Sequence, residues 1–236
     1  MHPQSLTILY EDSHIIVCVK PSGTATQSKC IKTPDMESIL KNHIAKAGSP
    51  NAISKEPYLA VIHRLDQPVR GIMVFAKTSF AAGELSRELL RGGFGKYYRA
   101  LVCGRPPKPS DTLSHFIQKD ARSNTSRICP KDAAGAKSAS LTYRTVPEEQ
   151  PYFSLPADIR GNTRETSFTE LDIHLHTGRH HQIRVQLSHI GCPIVGDTKY
   201  NPAAKEASGF QELKLCSYRL DFTHPKTKKA MHFSLI

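Results

Sequence analysis

The sequence predicts an α+β fold built on a mixed or antiparallel β-sheet core with flanking helices and loops. Three observations lead there. Most apolar runs are short and end at Gly, Pro, Asn or Asp clusters, as strands do. Only a few segments carry apolar residues at helical spacing. No internal repeat divides the 236 residues, which are enough to bury the core of a single domain, 1–236.

Taken in order, Leu6 to Lys20 alternates apolar runs around Glu11-Asp12-Ser13 and predicts a hairpin closed by the turn Pro21-Ser22-Gly23. Met36 to Ala47 reads as a short amphipathic helix, stopped by the breakers Gly48-Ser49-Pro50-Asn51. Tyr58 to Ile62 predicts a strand leading into His63-Arg64-Leu65-Asp66, then a turn over Pro68 to Gly71 and a second strand, Ile72 to Ala76. Thr78 or Ser79 is suited to cap a helix that runs through Leu90 and stops at Gly92-Gly93. Tyr97 to Cys103 predicts a strand, and Pro106-Pro107-Lys108-Pro109 a linker.

Leu113 to Arg144 has no clear period except for a strand over Ala139 to Arg144, and Pro147 to Arg164 reads as an exposed loop. Phe168 to Leu175 alternates as a half-buried strand and breaks at Thr177-Gly178. Ile183, Leu187 and Ile190 then fall four and three apart, predicting a helix within Arg179 to Ile190 that ends at Gly191.

Charge is the most informative bulk property. The 32 basic and 21 acidic residues leave a net charge of +11. A chain this basic favours polyanions, because each neutralised phosphate releases counterions, and nucleic acid leads that class. The six cysteines stand singly, with no CxxC pair to suggest a zinc or redox site. The N-terminus lacks a basic segment followed by an apolar run, and no stretch reaches the roughly 18 apolar residues of a membrane span. The expectations are a cytoplasmic protein with no membrane partner.

Two clusters carry candidate chemistry. His63-Arg64-Leu65-Asp66 stands where a strand ends, a position from which polar side chains can project into a cleft. An Asp before Gln-Pro is also an ordinary turn former. The second cluster, His176-Thr177-Gly178-Arg179-His180-His181-Gln182-Ile183-Arg184, opens a helix, and helix N-termini attract anions. The same residues are also compatible with a solvated polar face opposite Ile183 and Leu187. A metal site among His174, His176, His180 and His181 is disfavoured, since HExxH is absent and Arg179 and Arg184 repel cations.

These segments occur together and in order with others: Val19-Lys20-Pro21-Ser22-Gly23, Gly71 after HRLD, Ala76-Lys77-Thr78, Lys96-Tyr97-Tyr98-Arg99-Ala100-Leu101-Val102, Gly196-Asp197 with Tyr200, and Leu215 to Pro225. In this combination, spanning nearly the whole chain, the sequence resembles the RluA-type pseudouridine synthases. The resemblance implies a pseudouridine synthase type of sheet core in one catalytic domain, and because the first strand pattern begins at Leu6 no separate N-terminal RNA-binding domain is expected ahead of it. It implies an enzyme that isomerises uridines in structured RNA, rRNA or tRNA, as a monomer and without cofactor or metal.

Asp66 would be the nucleophile, attacking C1′ of the ribose or C6 of the base. Tyr98 would stack on the uracil and take the C5 proton. Arg184 would pair with Asp66, and Arg64 would fill the stack vacated by the extruded base. His63, Arg70, Lys96, Arg179, His181 and Gln182 would join Arg64 in holding the RNA. Desolvation raises the pKa of a buried carboxylate and a nearby guanidinium opposes the rise, so a nucleophilic Asp in a dry pocket needs such a partner.

Two motifs depart from the family pattern. Val69-Arg70 replaces Thr-Ser between HRLD and Gly71, and His180 replaces the threonine of TGRTHQIR. Both changes remove a hydroxyl, while Arg70 adds a cation. The alternatives are a non-catalytic RNA-binding protein on the same scaffold, which would have no use for Asp66, and a metal-dependent hydrolase built on the histidines.

Overall fold

A computed structural model describes residues 6–28, 33–47, 56–154, 167–206 and 211–236. The chain forms two compact units, one of Met1–Gly95 with Ser217–Leu235 and the other of Lys96–Cys216.

In the first unit, β1 (Thr7–Glu11) and β2 (Ile15–Lys20) form the expected hairpin. Its turn is held by Asp12, whose Oδ1 accepts the amides of His14 and Ile15 at 2.7 and 2.8 Å. β2 pairs antiparallel with β4 (Arg70–Ala76), from Ile15 opposite Ala76 to Lys20 opposite Gly71. β3 covers only Ala60–Val61, less than the Tyr58 to Ile62 expected. β10 (Leu215–Thr223) follows β4 in the sheet order and carries β11 (Ala230–Ser234).

Every residue of β2 is buried, and Ile15, Val17, Ile72 and Val74 share one core with Leu85 and Phe222. Leu85 lies on α2 (Ser79–Leu90), where the Thr78 hydroxyl caps the first turn by accepting the Ala81 amide at 3.2 Å. α1 (Met36–Ala47) has the expected bounds, and Asp35 caps it by accepting the Ser38 amide at 2.8 Å. The breaker cluster after it, and the latter part of the Pro147 to Arg164 loop, lie outside the described residues.

The second unit is an antiparallel sheet in the order β5 (Gly95–Cys103), β9 (Phe168–Leu175), β8 (Lys137–Thr145), β6 (Ser110–Asp120) and β7 (Thr125–Cys129). The stretch that showed no clear period is therefore three strands. β6 and β7 form a hairpin whose polar residues hide the alternation. Its turn contains Asn124 with φ +49°, left-handed geometry that Asn accepts.

α3 (Gln182–His189) starts three residues later than the Arg179 boundary suggested, because His181 before it is also left-handed, with φ +54°. The helix has no solvated face over its first six residues, since Gln182, Arg184 and Gln186 are buried alongside Ile183, Val185 and Leu187. That overturns the reading of these polar residues as a solvent-facing stripe. α4 (Pro202–Glu206) follows. No helix among the described residues is long and apolar enough to cross a membrane.

Candidate active site

The loop carrying Asp66 is stapled to the Lys20-Pro21-Ser22-Gly23 turn, which explains why these motifs belong together. Lys20 ends β2 with its side chain fully buried, and its ammonium donates to the carbonyls of Pro21, Thr24 and Gln67 at 3.0, 2.6 and 2.9 Å. Those three acceptors match the three N–H bonds of an ammonium. The Ser22 hydroxyl donates to the Pro68 carbonyl at 2.8 Å, and the Gly23 amide to the Gln67 carbonyl at 2.9 Å. Thr26 Oγ1 donates to the Leu65 carbonyl at 3.0 Å, and buried Leu65 anchors the loop in the core.

Asp66 is half-buried between these fixed neighbours. The backbone closes the turn through Val69 N–H to Asp66 C=O at 3.0 Å. Burial pushes the Lys20 pKa down to about 8, and attraction to Asp66 opposes the fall. Lys20 is thus an electrostatic neighbour of Asp66, a role the sequence reading did not give it although it stands in one of the quoted motifs. The available signal was a lysine closing an apolar strand directly before Pro-Ser-Gly.

The other candidates of the first unit divide by exposure. Arg64 and Arg70 are exposed. His63 is half-buried, with Nε2 accepting the Val74 amide at 3.3 Å and its ring edge-on to Phe94. Gly71 is required by a close approach: a Cβ there would lie 2.4 Å from the Ser217 carbonyl oxygen, and its φ is +151°.

In the second unit Tyr98 is buried on β5, opposite Ile173. Arg184 is 4 % exposed, and its guanidinium makes a two-pronged pair with Asp197, Nε to Oδ2 at 2.8 Å and Nη2 to Oδ1 at 2.7 Å. The same Oδ1 accepts the amides of Lys199 and Tyr200 at 3.0 and 3.2 Å, and the Tyr200 ring lies 5.2 Å from the guanidinium carbon. The Tyr200 hydroxyl accepts the Ser126 amide at 2.7 Å and meets His181 Nδ1 at 2.8 Å. The pKa of His181 is pushed down to about 2 by burial, with Arg184 and other cations adding to the effect. It is neutral, and a neutral imidazole makes this bond to the Tyr200 hydroxyl with Nδ1 as donor in one tautomer and as acceptor in the other. Asp197, Tyr200 and Ser126 therefore fix Arg184 and His181, although the sequence reading gave them no role.

Gln182 is buried and spends its amide on the loop before α3. Its Oε1 accepts from Thr177 Oγ1 and the Arg179 amide at 2.7 and 3.0 Å, and its Nε2 donates to the Ser140 carbonyl at 3.1 Å. Arg179 is anchored through Nε to the Ser138 carbonyl at 2.8 Å. The histidines have protein partners: His176 Nε2 meets Thr142 Oγ1 at 2.8 Å, His180 Nδ1 meets Ser126 Oγ at 2.9 Å, and His174 stacks on Tyr97. Among the described residues no three His, Cys, Asp or Glu side chains group to hold a metal ion.

Fold and motifs together define a class of RNA-modifying isomerases. Residues 14–189 match the family model described as RNA pseudouridylate synthase. The chain is 26% identical over 231 residues to tRNA pseudouridine synthase C of Vibrio cholerae, covering 96% of this chain and 88% of that one. It is 30% identical over 231 residues to ribosomal large subunit pseudouridine synthase D of Xanthomonas campestris pv. campestris, covering 93% and 62%. Among solved structures, human RNA pseudouridylate synthase domain containing 1 shares the fold, with a TM-score of 0.71 and 21% identity over 100% of this chain and 86% of that one. The chain belongs to the RNA pseudouridylate synthase family, in its RluA-type branch.

Proposed function

We propose that the protein converts uridine to pseudouridine in rRNA or tRNA, with Asp66 as the nucleophile and the target base flipped out of its stack. The observation that carries this reading is the Asp66 loop, which the buried Lys20 ammonium and the Ser22 and Thr26 hydroxyls pin at its backbone, with the Lys20 charge attracted to Asp66. Such an arrangement presents a fixed anion beside a fixed cation and leaves no reorganisation for the moment of reaction.

The reaction breaks the N1–C1′ bond, forms C5–C1′, moves the C5 proton to a base and leaves N1 protonated. It is redox-neutral and transfers no phosphoryl group, so the proposal includes no cofactor or metal. Asp66 attacks C1′ or C6, Tyr98 stacks on the uracil and accepts the C5 proton, and Arg184 supports Asp66. The bidentate grip of Asp197 suits that role, because it fixes the guanidinium plane. Arg64 substitutes for the extruded base, offsetting unstacking that costs a few kcal/mol. Arg70, Lys96 and Arg179 contact phosphates, while His63, His181 and Gln182 shape the loops that hold the RNA. The reading includes a single catalytic domain acting as a monomer in the cytoplasm.

Asp66→Asn tests the assignment. The variant is expected to bind tRNA and rRNA transcripts as the parent does and to form no pseudouridine, because the amide cannot act as the nucleophile. Turnover by the variant, scored by tritium release from C5-labelled uridine, would refute it.

A further inference from the structure

Lys96 is an anomaly for a basic surface protein. It enters β5 with only 9 % of its surface exposed, yet no described residue forms a hydrogen bond or ion pair with its ammonium. A buried charge without a partner is costly, and proteins ordinarily pair or neutralise it. Here the charge that acts on it is another cation, Arg179. Burial lowers the Lys96 pKa, and Arg179 lowers it further. Keeping two cations close without an anion destabilises the free protein, as expected of a site whose anion arrives with a ligand.

The surrounding backbone is built for close approach. The ammonium lies 3.7 Å from where a Cβ of residue 178 would stand, and that residue is Gly178. The loop Thr177-Gly178-Arg179 is rigid: Gln182 accepts from Thr177 Oγ1 and the Arg179 amide, and Thr177 Oγ1 accepts the Ser140 amide at 2.9 Å. Arg179 is held by one edge, through Nε to Ser138, and no described residue takes its Nη groups. All of these residues lie in the second unit.

We infer that Lys96, Gly178 and Arg179 form a built seat for a single phosphodiester of the substrate RNA, with Gly178 leaving the space above the ammonium that the phosphate oxygens occupy. This rests on the RNA reading above and goes further by assigning one phosphate to one site. A tetrahedral anion fits the chemistry, since Lys supplies a point charge and Arg a planar fork, which together neutralise one phosphate with directional donors. The stability lost in the free protein is recovered when the phosphate arrives.

The test uses three readouts on the full chain. Binding of tRNA and rRNA transcripts is measured by filter retention across a KCl series. Thermal unfolding is followed with and without inorganic phosphate, and pseudouridine formation by the parent protein is scored on the same transcripts. Lys96→Met is expected to weaken RNA binding about tenfold and to reduce the log–log salt slope by about 0.7 to 0.9, one phosphate contact. It is also expected to raise the midpoint of unfolding of the free protein, because the unpaired buried charge is gone.

Gly178→Ala keeps both cations and meets only ordinary contact distances within the protein. It is expected to leave the unfolding midpoint within about 1 °C and still weaken RNA binding by several-fold. An unchanged salt slope for Lys96→Met, or unchanged RNA affinity for Gly178→Ala, overturns the seat. So does inorganic phosphate stabilising the parent but not Lys96→Met while RNA binding stays the same, which would mark a free-anion site. Absence of pseudouridine in the parent reaction would instead refute the proposed function, so the two failures are told apart.

Discussion

Asp197→Asn isolates the support beneath Arg184. The exchange is nearly isosteric, so packing volume is kept and only charge and donor pattern change. With Oδ1 retained, the amide still accepts from Arg184 Nη2 and from the amides of Lys199 and Tyr200. Its NH2 group then stands where Oδ2 was, 2.8 Å from Arg184 Nε, and two donors face each other. Turning the amide over rescues that contact and sets the NH2 against three donors instead. Either way the Arg184 guanidinium, 4 % exposed, loses the buried charge of Asp197, for which the Tyr200 ring 5.2 Å away offers only partial compensation.

Breaking a buried pair from one side costs about 3 to 5 kcal/mol. For a protein of this size that is a drop of roughly 6 to 20 °C in the midpoint of thermal unfolding. Urea unfolding followed by circular dichroism gives the free energy directly, and repeating it in high salt separates this pair from surface ion pairs. The loss should persist, because buried charges are weakly screened. A destabilisation below about 1 kcal/mol, or one that vanishes in high salt, would show that the pair behaves as an exposed one and refute the reasoning.

Two further outcomes follow from the same geometry. His181 has a folded pKa of about 2 against 6.5 in the unfolded chain, so between those values the unfolded state binds a proton that the fold excludes. Its contribution is fully present above pH 6.5 and is lost as pH falls toward 2, at up to about 1.4 kcal/mol per unit. His181→Asn tolerates the left-handed backbone and can accept from Tyr200, so its urea stability should fall less steeply between pH 6.5 and 4.5, and an identical acid slope would contradict this. Gly71→Ala would set a Cβ 2.4 Å from the Ser217 carbonyl oxygen at φ +151°. Overpacking and backbone strain together should cost about 2 to 5 kcal/mol in urea unfolding, whereas a neutral effect would mean that β10 has room to move.

Most strands were legible because their patterns are local. The β1–β2 hairpin, β9 and the two N-terminal helices carry alternation, helical spacing or a capping residue within a single window of sequence. The β6–β7 hairpin escaped because His115, Gln118 and Lys119 interrupt its alternation, leaving Leu113 and Ile117 as its buried apolar anchors on β6. α3 was harder still, since a helix buried through Gln182, Arg184 and Gln186 has no polar face to reveal its orientation. At the site, motif resemblance proposes roles for Asp66, Tyr98 and Arg184, whereas Lys20 and Asp197 stand in the same motifs with no role assigned. Their significance lies in what they touch, the Gln67 carbonyl 47 residues away for Lys20 and a guanidinium 13 residues away for Asp197, and no window records such contacts.

The division of the chain bears on how it becomes a protein. The first unit takes Ser217–Leu235 as strands, so it cannot be finished when Gly95 leaves the ribosome; it must wait for residues 96–216 to be made. Those intervening residues can organise during the wait, and when they do, the Leu101 amide meets the Lys214 carbonyl at 3.0 Å. A long flexible loop is thereby exchanged for a short tether before the late strands arrive. On a logarithmic closure cost, replacing a loop of about 120 residues with one of about 10 saves roughly 2 kcal/mol. The order of synthesis and the order of least entropy loss are the same, with the inserted unit first and the interrupted one completed around it.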